Sequence, residues 1–374
     1  MMSRRTSDGQ NGPLAPRVAG QVENLSYAGN RPAFTLVELM VVVVIAIILM
    51  AVTLPSVKYS LEEGKLREGA RQFNAYFAVA KARATTTGRP AGVWLELEQI
   101  GDPNAALGSQ LYQCSQLYLA EVPATYGGDT LDARCIVTGT AVPYALNFQN
   151  NCAASLQNLV TVDGEMFFIR FDYKGHYFRA QRNNANSYSI IDTARVPPTA
   201  NTAGYAFQIF RQPARIGQPL ELPQGIVIDP NYSGASPTGF QFEAAKRQIL
   251  VMFSPAGGVA SVAYTEQYSG NNNTVEIPGT SKIHFLVGKT EKMFRPWDTT
   301  ASTLMDHNIS DGTNLWVTIN RRNGSVGTVE NVPSFNPQDY NPQQNFPPTN
   351  PQERQAFLQM ARQFATGGEV KGGQ

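Results

Sequence analysis

The residues best suited to chemistry are few and scattered. The histidines are His176, His284 and His307, and none shares a short motif with a nucleophile or a carboxylate pair. No HExxH, GxxxxGK[ST] or GxSxG occurs, nor a GxGxxG between a strand and a helix. Asp306 and His307 are adjacent, and two neighbouring ligands alone make a poor metal site. Asp229 and the Ser310–Asn314 stretch SDGTN carry oxygens of the kind calcium takes, but such Asp/Asn/Gly loops far more often serve as plain turns. Cys114, Cys135 and Cys152 form no CxxC pair, so zinc is not indicated. In an oxidising compartment they allow one disulfide and one leftover thiol, and all three pairings stay open; three buried thiols is the other reading. The expectation is no enzyme, no catalytic residue, no cofactor and no metal.

Charge points to no class of partner either. The 374 residues carry 16% charged side chains, below the usual quarter, and a formal net charge of +1. Arg321-Arg322 near Trp316 and Lys246-Arg247 before a strand are the basic dipeptides of interest. They do not amount to a clustered basic face with aromatics, so nucleic acid is not expected as a partner.

One carboxylate stands out by its position. From Phe34 to Leu54 the chain runs 21 residues with Glu38 as the sole ionisable side chain. That is long enough for a helix across a hydrocarbon core of roughly 20 residues, and a lone segment in lipid satisfies its backbone only as a helix. Arg4, Arg5, Arg17 and Arg31 precede the run and Lys58 and Lys65 follow it, which places the leader in the cytoplasm and the remainder outside. A charged carboxylate in the membrane costs about 2–3 kcal/mol or more when unpaired. No Lys, Arg or His lies within the run to offset it. The partner is then a neighbouring chain, interfacial water or a proton; proximity to the headgroups is the bland alternative.

The stretch AFTLVELMVVVVIAIILMAVTLP resembles the N-terminus of type IV pilin-like proteins, the family of type IV pilins and of the pseudopilins of type II secretion. The resemblance implies a basic leader, residues 1–33, cut in the cytoplasm by a prepilin peptidase between Ala33 and Phe34. It implies methylation of the new Phe34 amine and a role for Glu38 in assembly, facing the Phe34 amine of a neighbouring subunit. It also implies a bend at Pro55. One position departs from the pattern: the residue before the cut is usually Gly, and here it is Ala33. The implied location is the inner membrane, single-pass, with the C-terminal domain periplasmic, and the implied partners are other pilin or pseudopilin subunits.

The elements that would carry these residues follow from periodicity. Residues 34–54 form the membrane half of a long helix and 55–90 its amphipathic half, about 80 Å to Thr87 if wholly helical. Leu66, Ala70, Phe73, Phe77, Ala80 and Ala84 recur at gaps of 3 and 4 and define one face. Gly88 and Pro90 close the helix. Residues 91–331 then read as short antiparallel strands, among them AGVWLEL, MFFIRF, QILVMF, IHFLVG and LWVTIN, with no βαβ alternation. Pro255, Gly257 and Gly258 supply one hairpin turn and Asn323-Gly324 another. The fold class is therefore α+β, a long N-terminal helix on an antiparallel sheet or sandwich. The order of helix, strands, FSPAG hairpin and closing NG hairpin is similar to the H-type minor pseudopilins and related minor pilins. Residues 100–201, with all three cysteines, read as an insertion. Residues 332–349 read as a Pro/Asn-rich linker, and residues 350–366 as a C-terminal helix capped by Asn350 and Pro351, with Phe357, Ala361 and Phe364 on one face beside Leu358 and Met360.

Overall fold

The computed structural model describes residues 35–101, 110–149, 152–236, 240–242, 245, 247–268, 271–277, 281–293, 307–332, 355, 358–363 and 365. The chain divides into two compact units, Met1–Val57 and Lys58–Gln374. Helix α1 covers Leu36–Thr87. It is assigned continuously across Pro55, whose side chain lies outside the described residues, so the bend expected there stays an expectation. α1 ends as its sequence dictates: Gly88 takes φ +66°, a left-handed conformation that glycine adopts without strain.

The strands are β1 Ala91–Ile100, β2 Leu111–Glu121, β3 Cys135–Thr138, β4 Tyr144–Phe148, then helix α2 Cys152–Leu159, β5 Met166–Phe171, β6 Phe178–Asn184, β7 Ser187–Ile190, β8 Phe207–Arg211, β9 Ala214–Glu221, β10 Ile226–Ser236, β11 Phe240–Gln241, β12 Gln248–Phe253, β13 Val259–Tyr268, β14 Asn271–Glu276, β15 Lys282–Lys289, β16 Leu315–Asn320 and β17 Val326–Glu330. They form two antiparallel sheets. The larger follows the order β14-β13-β12-β1-β2-β10-β15-β16-β17, with β9 on β2 and β11 on β10. The smaller follows β3-β4-β7-β6-β5-β8. The class is α+β, as expected.

The second half of α1 lies on the larger sheet. All six face residues, Leu66 to Ala84, are buried. The Phe73 ring sits 5.4 Å from that of Phe285 on β15, and the Phe77 ring 6.1 Å from that of Phe253 on β12. Gly69 is required by this approach, because a Cβ there would lie 2.9 Å from Ile226 Cγ2. Both expected hairpins form. Gly257, at φ +87°, turns β12 into β13, and Gly324, at φ +63°, turns β16 into β17.

The opposite face of β15 and β16 is covered by the C-terminal helical residues. Leu358, Ala361 and Ala365 pack with Tyr232, Leu286, Ile309 and Trp316. The segment thus docks on its own domain. Of the expected face, Ala361 is buried, as is Leu358 beside it, while Met360 is half exposed; Phe357 and Phe364 lie outside the described residues.

The smaller sheet has its own core, with α2 over one side. Phe148, Phe167, Tyr188 and Phe207 meet edge to face or tilted, with Phe148 and Phe207 rings 5.0 Å apart. Arg182 reaches the end of α2, donating to the carbonyls of Val160 and Gln157 and pairing with Asp163 at 3.0 Å, which suits the negative pole of that helix. The boundaries differ from the expected 100–201. β2 belongs to the larger sheet, whose pairing with β1 it maintains from Leu111 to Glu121, and the smaller sheet runs from β3 to β8, ending at Arg211.

Candidate processing and assembly site

Glu38 sits in the first turn of α1. Its backbone N–H donates to Thr35 Oγ1 at 3.2 Å, and Leu39 N–H donates to the Thr35 carbonyl at 3.1 Å. Thr35 is therefore the N-cap, and Glu38 stands at the third helical position, the spacing of a capping box. A carboxylate there also complements the positive end of the helix. Among the described residues no basic side chain pairs with Glu38. The cleavage residues Ala33 and Phe34 lie outside the described residues.

Behind this cap the helix is apolar on all sides. Large apolar side chains from Leu36 to Met50 are exposed around the whole circumference, between 47% at Val43 and 77% at Leu36. A helix of that kind requires lipid or other chains to cover it. Among the described residues no helix is long and apolar enough to cross a membrane. The described apolar stretch ends at Ala51, and the ends of the 34–54 run, Phe34 and the Val52–Leu54 side chains, lie outside the described residues.

The polar residues weighed as ligands are engaged elsewhere. Asp229, wholly buried, accepts from Asn231 N–H and Nδ2 at 3.0 Å each and from Asn308 Nδ2 at 3.2 Å. Burial pushes its carboxyl up to about 6. Asp311 Oδ2 meets Lys292 at 2.8 Å and Lys289 at 3.5 Å, while Oδ1 accepts from Thr313. Despite partial burial, these bonds hold its carboxyl down to about 2. Among the described residues no group of three His, Cys, Asp or Glu is arranged to hold a metal. The ring of His284 lies between Ser236 Oγ at 2.9 Å and Thr318 Oγ1 at 3.0 Å, and His307 Nδ1 faces Tyr232 hydroxyl at 2.9 Å.

Two arrangements escaped the sequence reading. Arg362, buried in the C-terminal segment, donates to the carbonyls of Tyr232 at 2.8 Å and Phe240 at 2.9 Å. The uncovered face of the smaller sheet carries a ring-and-guanidinium patch. Arg170 Nη1 donates to Tyr177 hydroxyl at 3.2 Å, its guanidinium carbon lies 5.2 Å and 5.6 Å from the Tyr177 and Phe210 ring centres, and Phe168 pairs across the strands with Phe210. The signal was the alternation of MFFIRF, which puts Phe168 and Arg170 on one face.

Residues 30–54 match the family model for the prokaryotic N-terminal methylation motif. That match supports a type IV pilin-like, membrane-anchored chain and substrate of prepilin peptidase, which assembles with pilin subunits in general. Comparison with curated proteins and with solved structures returns no match.

Proposed function

We propose that this chain is a minor pseudopilin or minor pilin of H type, a non-catalytic structural subunit of a type II secretion pseudopilus or type IV pilus. Prepilin peptidase cuts between Ala33 and Phe34, the Phe34 amine is methylated, and the apolar helix holds the subunit in the inner membrane with residues from Lys58 onward in the periplasm. The observation that carries this reading is the head of α1, where Glu38 is the sole ionisable group in a helix apolar on every side. In an assembled filament the carboxylate faces the amine of a neighbour, and pairing offsets the cost of burying both. N-terminal sequencing of the mature protein tests it. The chain should begin at Phe34, and a chain beginning at Met1 or Met2 sinks the proposal.

A second reading, a membrane-tethered module that captures DNA or an exported protein, is favoured by the open face of the smaller sheet. Phe168 and Tyr177 are 44% and 45% exposed, Arg179 pairs across with Phe168, and Arg170 lies beside the Tyr177 and Phe210 rings on the same face. Rings for stacking beside guanidinium groups for phosphates suit a single strand. Fluorescence anisotropy with a labelled oligothymidylate at low salt tests this; binding that is absent, or indifferent to Phe168→Ala and Arg170→Ala, removes it.

A further inference from the structure

The sequence left three ways to pair three cysteines, and the fold separates them. Cys114 lies on β2 in the core of the larger sheet. Cys135 and Cys152 lie together in the core of the smaller sheet, both wholly buried. No disulfide joins any of the three in this structure. A bridge needs Cα atoms within roughly 7 Å, and two separate cores do not provide that for Cys114.

The backbone brings the other two close. Cys135 on β3 stands opposite Phe148 on β4. Gln149 N–H donates to the Arg134 carbonyl at 2.9 Å, and Cys135 exchanges its own N–H and C=O with Tyr205. Cys135 and Phe148 are thus a pair without mutual hydrogen bonds, the type whose Cα atoms approach to about 4.5 Å. The chain then turns at once into α2: Cys152 N–H donates to the Gln149 carbonyl at 3.4 Å. On the side-chain level, an ideal Cβ on Gly128 would lie 2.2 Å from Ala133 Cβ and 3.4 Å from Cys152 Sγ. Cys152 Sγ therefore lies close to Ala133, two residues before Cys135 on the approach to β3. Burial, and to a lesser degree the nearby Cys152 thiol, pushes the Cys135 thiol up.

We propose that Cys135 and Cys152 are joined by a disulfide when the chain folds outside the cytoplasm, and that Cys114 stays a thiol. The inference rests on the extracytoplasmic location given under Proposed function. The oxidant is a disulfide carrier of the thiol-exchange class. One cysteine thiolate attacks a carrier sulfur and forms a mixed disulfide. The second thiolate displaces that carrier sulfur, so the new S–S bond forms and the carrier leaves as a dithiol with the two electrons and two protons. Both sulfurs are buried in the folded state, so the exchange occurs while the smaller sheet is still closing. The bond ties the start of α2 to β3 and closes the loop around the β3–β4 turn.

The full-length protein is acid-quenched in its own cells, alkylated, digested without reductant and analysed by mass spectrometry. A parallel sample is denatured, reduced and refolded in detergent with mixed reduced and oxidised glutathione. A Cys135–Cys152 linked peptide, lighter than the two thiol peptides by two hydrogens, with Cys114 alkylated, is the expected result in both. Any linkage through Cys114, or alkylation of all three in both samples, overturns the pairing. Linkage after refolding but not in cells upholds the pairing and overturns the location. Cys135→Ser and Cys152→Ser should abolish the linkage equally and speed proteolysis of residues 122–213, and Cys114→Ser should leave both unchanged.

Discussion

Arg83, on the last turns of α1, donates its Nε–H to the carboxylate of Glu121, 2.7 Å away at the end of β2. Arg89 closes on the other oxygen of the same buried carboxylate. One acid thus fastens both the helix and the turn after it to the sheet. Glu121→Gln keeps the shape but loses two charge-assisted bonds. Because both guanidinium groups are partly exposed, a loss of about 1–2 kcal/mol is expected in urea unfolding.

The aromatic seam beneath α1 should be the most sensitive place in the second unit. The Phe77 ring contacts those of Phe73, Phe253 and Phe285 at 4.7–6.1 Å, and Phe77 is wholly buried. Phe77→Ala is expected to cost about 3–5 kcal/mol. Phe168→Ala on the open face should stay within about 0.5 kcal/mol by the same unfolding measurement.

Acid should loosen the larger sheet through His284. Burial, with Arg362 and Lys282 opposing its positive form, lowers its value from the usual range to about 3. The folded-state value is depressed, so the unfolded chain takes the proton first, and stability falls as pH drops from about 6.5 toward 3. Asp229, raised to about 6, acts with the opposite sign and gains stability as pH drops from about 6 to the ordinary carboxylate range. Comparing wild type with His284→Gln isolates the first effect: from pH 6.5 to pH 4 the variant's unfolding midpoint should rise relative to that of the wild type, because the gain at Asp229 is no longer offset.

Removing the Arg362 fork should release the C-terminal segment. Arg362→Leu preserves bulk but leaves the Tyr232 and Phe240 carbonyls without their donor, at about 2–3 kcal/mol. Limited proteolysis should then cut near residues 355–365 before it cuts the sheets.

At the head of α1, Glu38→Ala should leave membrane insertion intact and reduce incorporation into filaments, scored by shearing and immunoblotting. Equal incorporation would count against the carboxylate–amine pairing. Ala33→Gly should raise the fraction of chain that is cleaved in a pulse–chase experiment.

Sequence periodicity revealed what repeats and little of what closes on itself. The 3.6-residue face from Leu66 to Ala84 and the two glycine turns were legible because each follows from local geometry. β5, β12 and β16 coincide with their apolar runs. β6 FRAQRNN, β9 ARIGQPLE and β14 NNNTVE gave no such signal, since partner strands rather than their own side chains hold them in place. The buried contacts of Asp229, Asn308 and Arg362 were illegible for a related reason. Their partners are carbonyls and amides on distant strands, and a polar residue in isolation reads as surface. At the candidate site, Glu38 was legible by its isolation, whereas the Thr35 cap behind it emerged only from the backbone geometry.

Glu121, the last residue of β2, is the register partner of Ala214, the first residue of β9. The chain departs for the smaller sheet and returns from it at one rung of the same ladder. Residues 122–213 therefore behave as a cassette: a short turn could join the two strands directly, and a different cassette could be mounted on the same doorway without disturbing the helix or its sheet. The smaller sheet can thus be exchanged by evolution, or by design, independently of the helix and the sheet on which it packs.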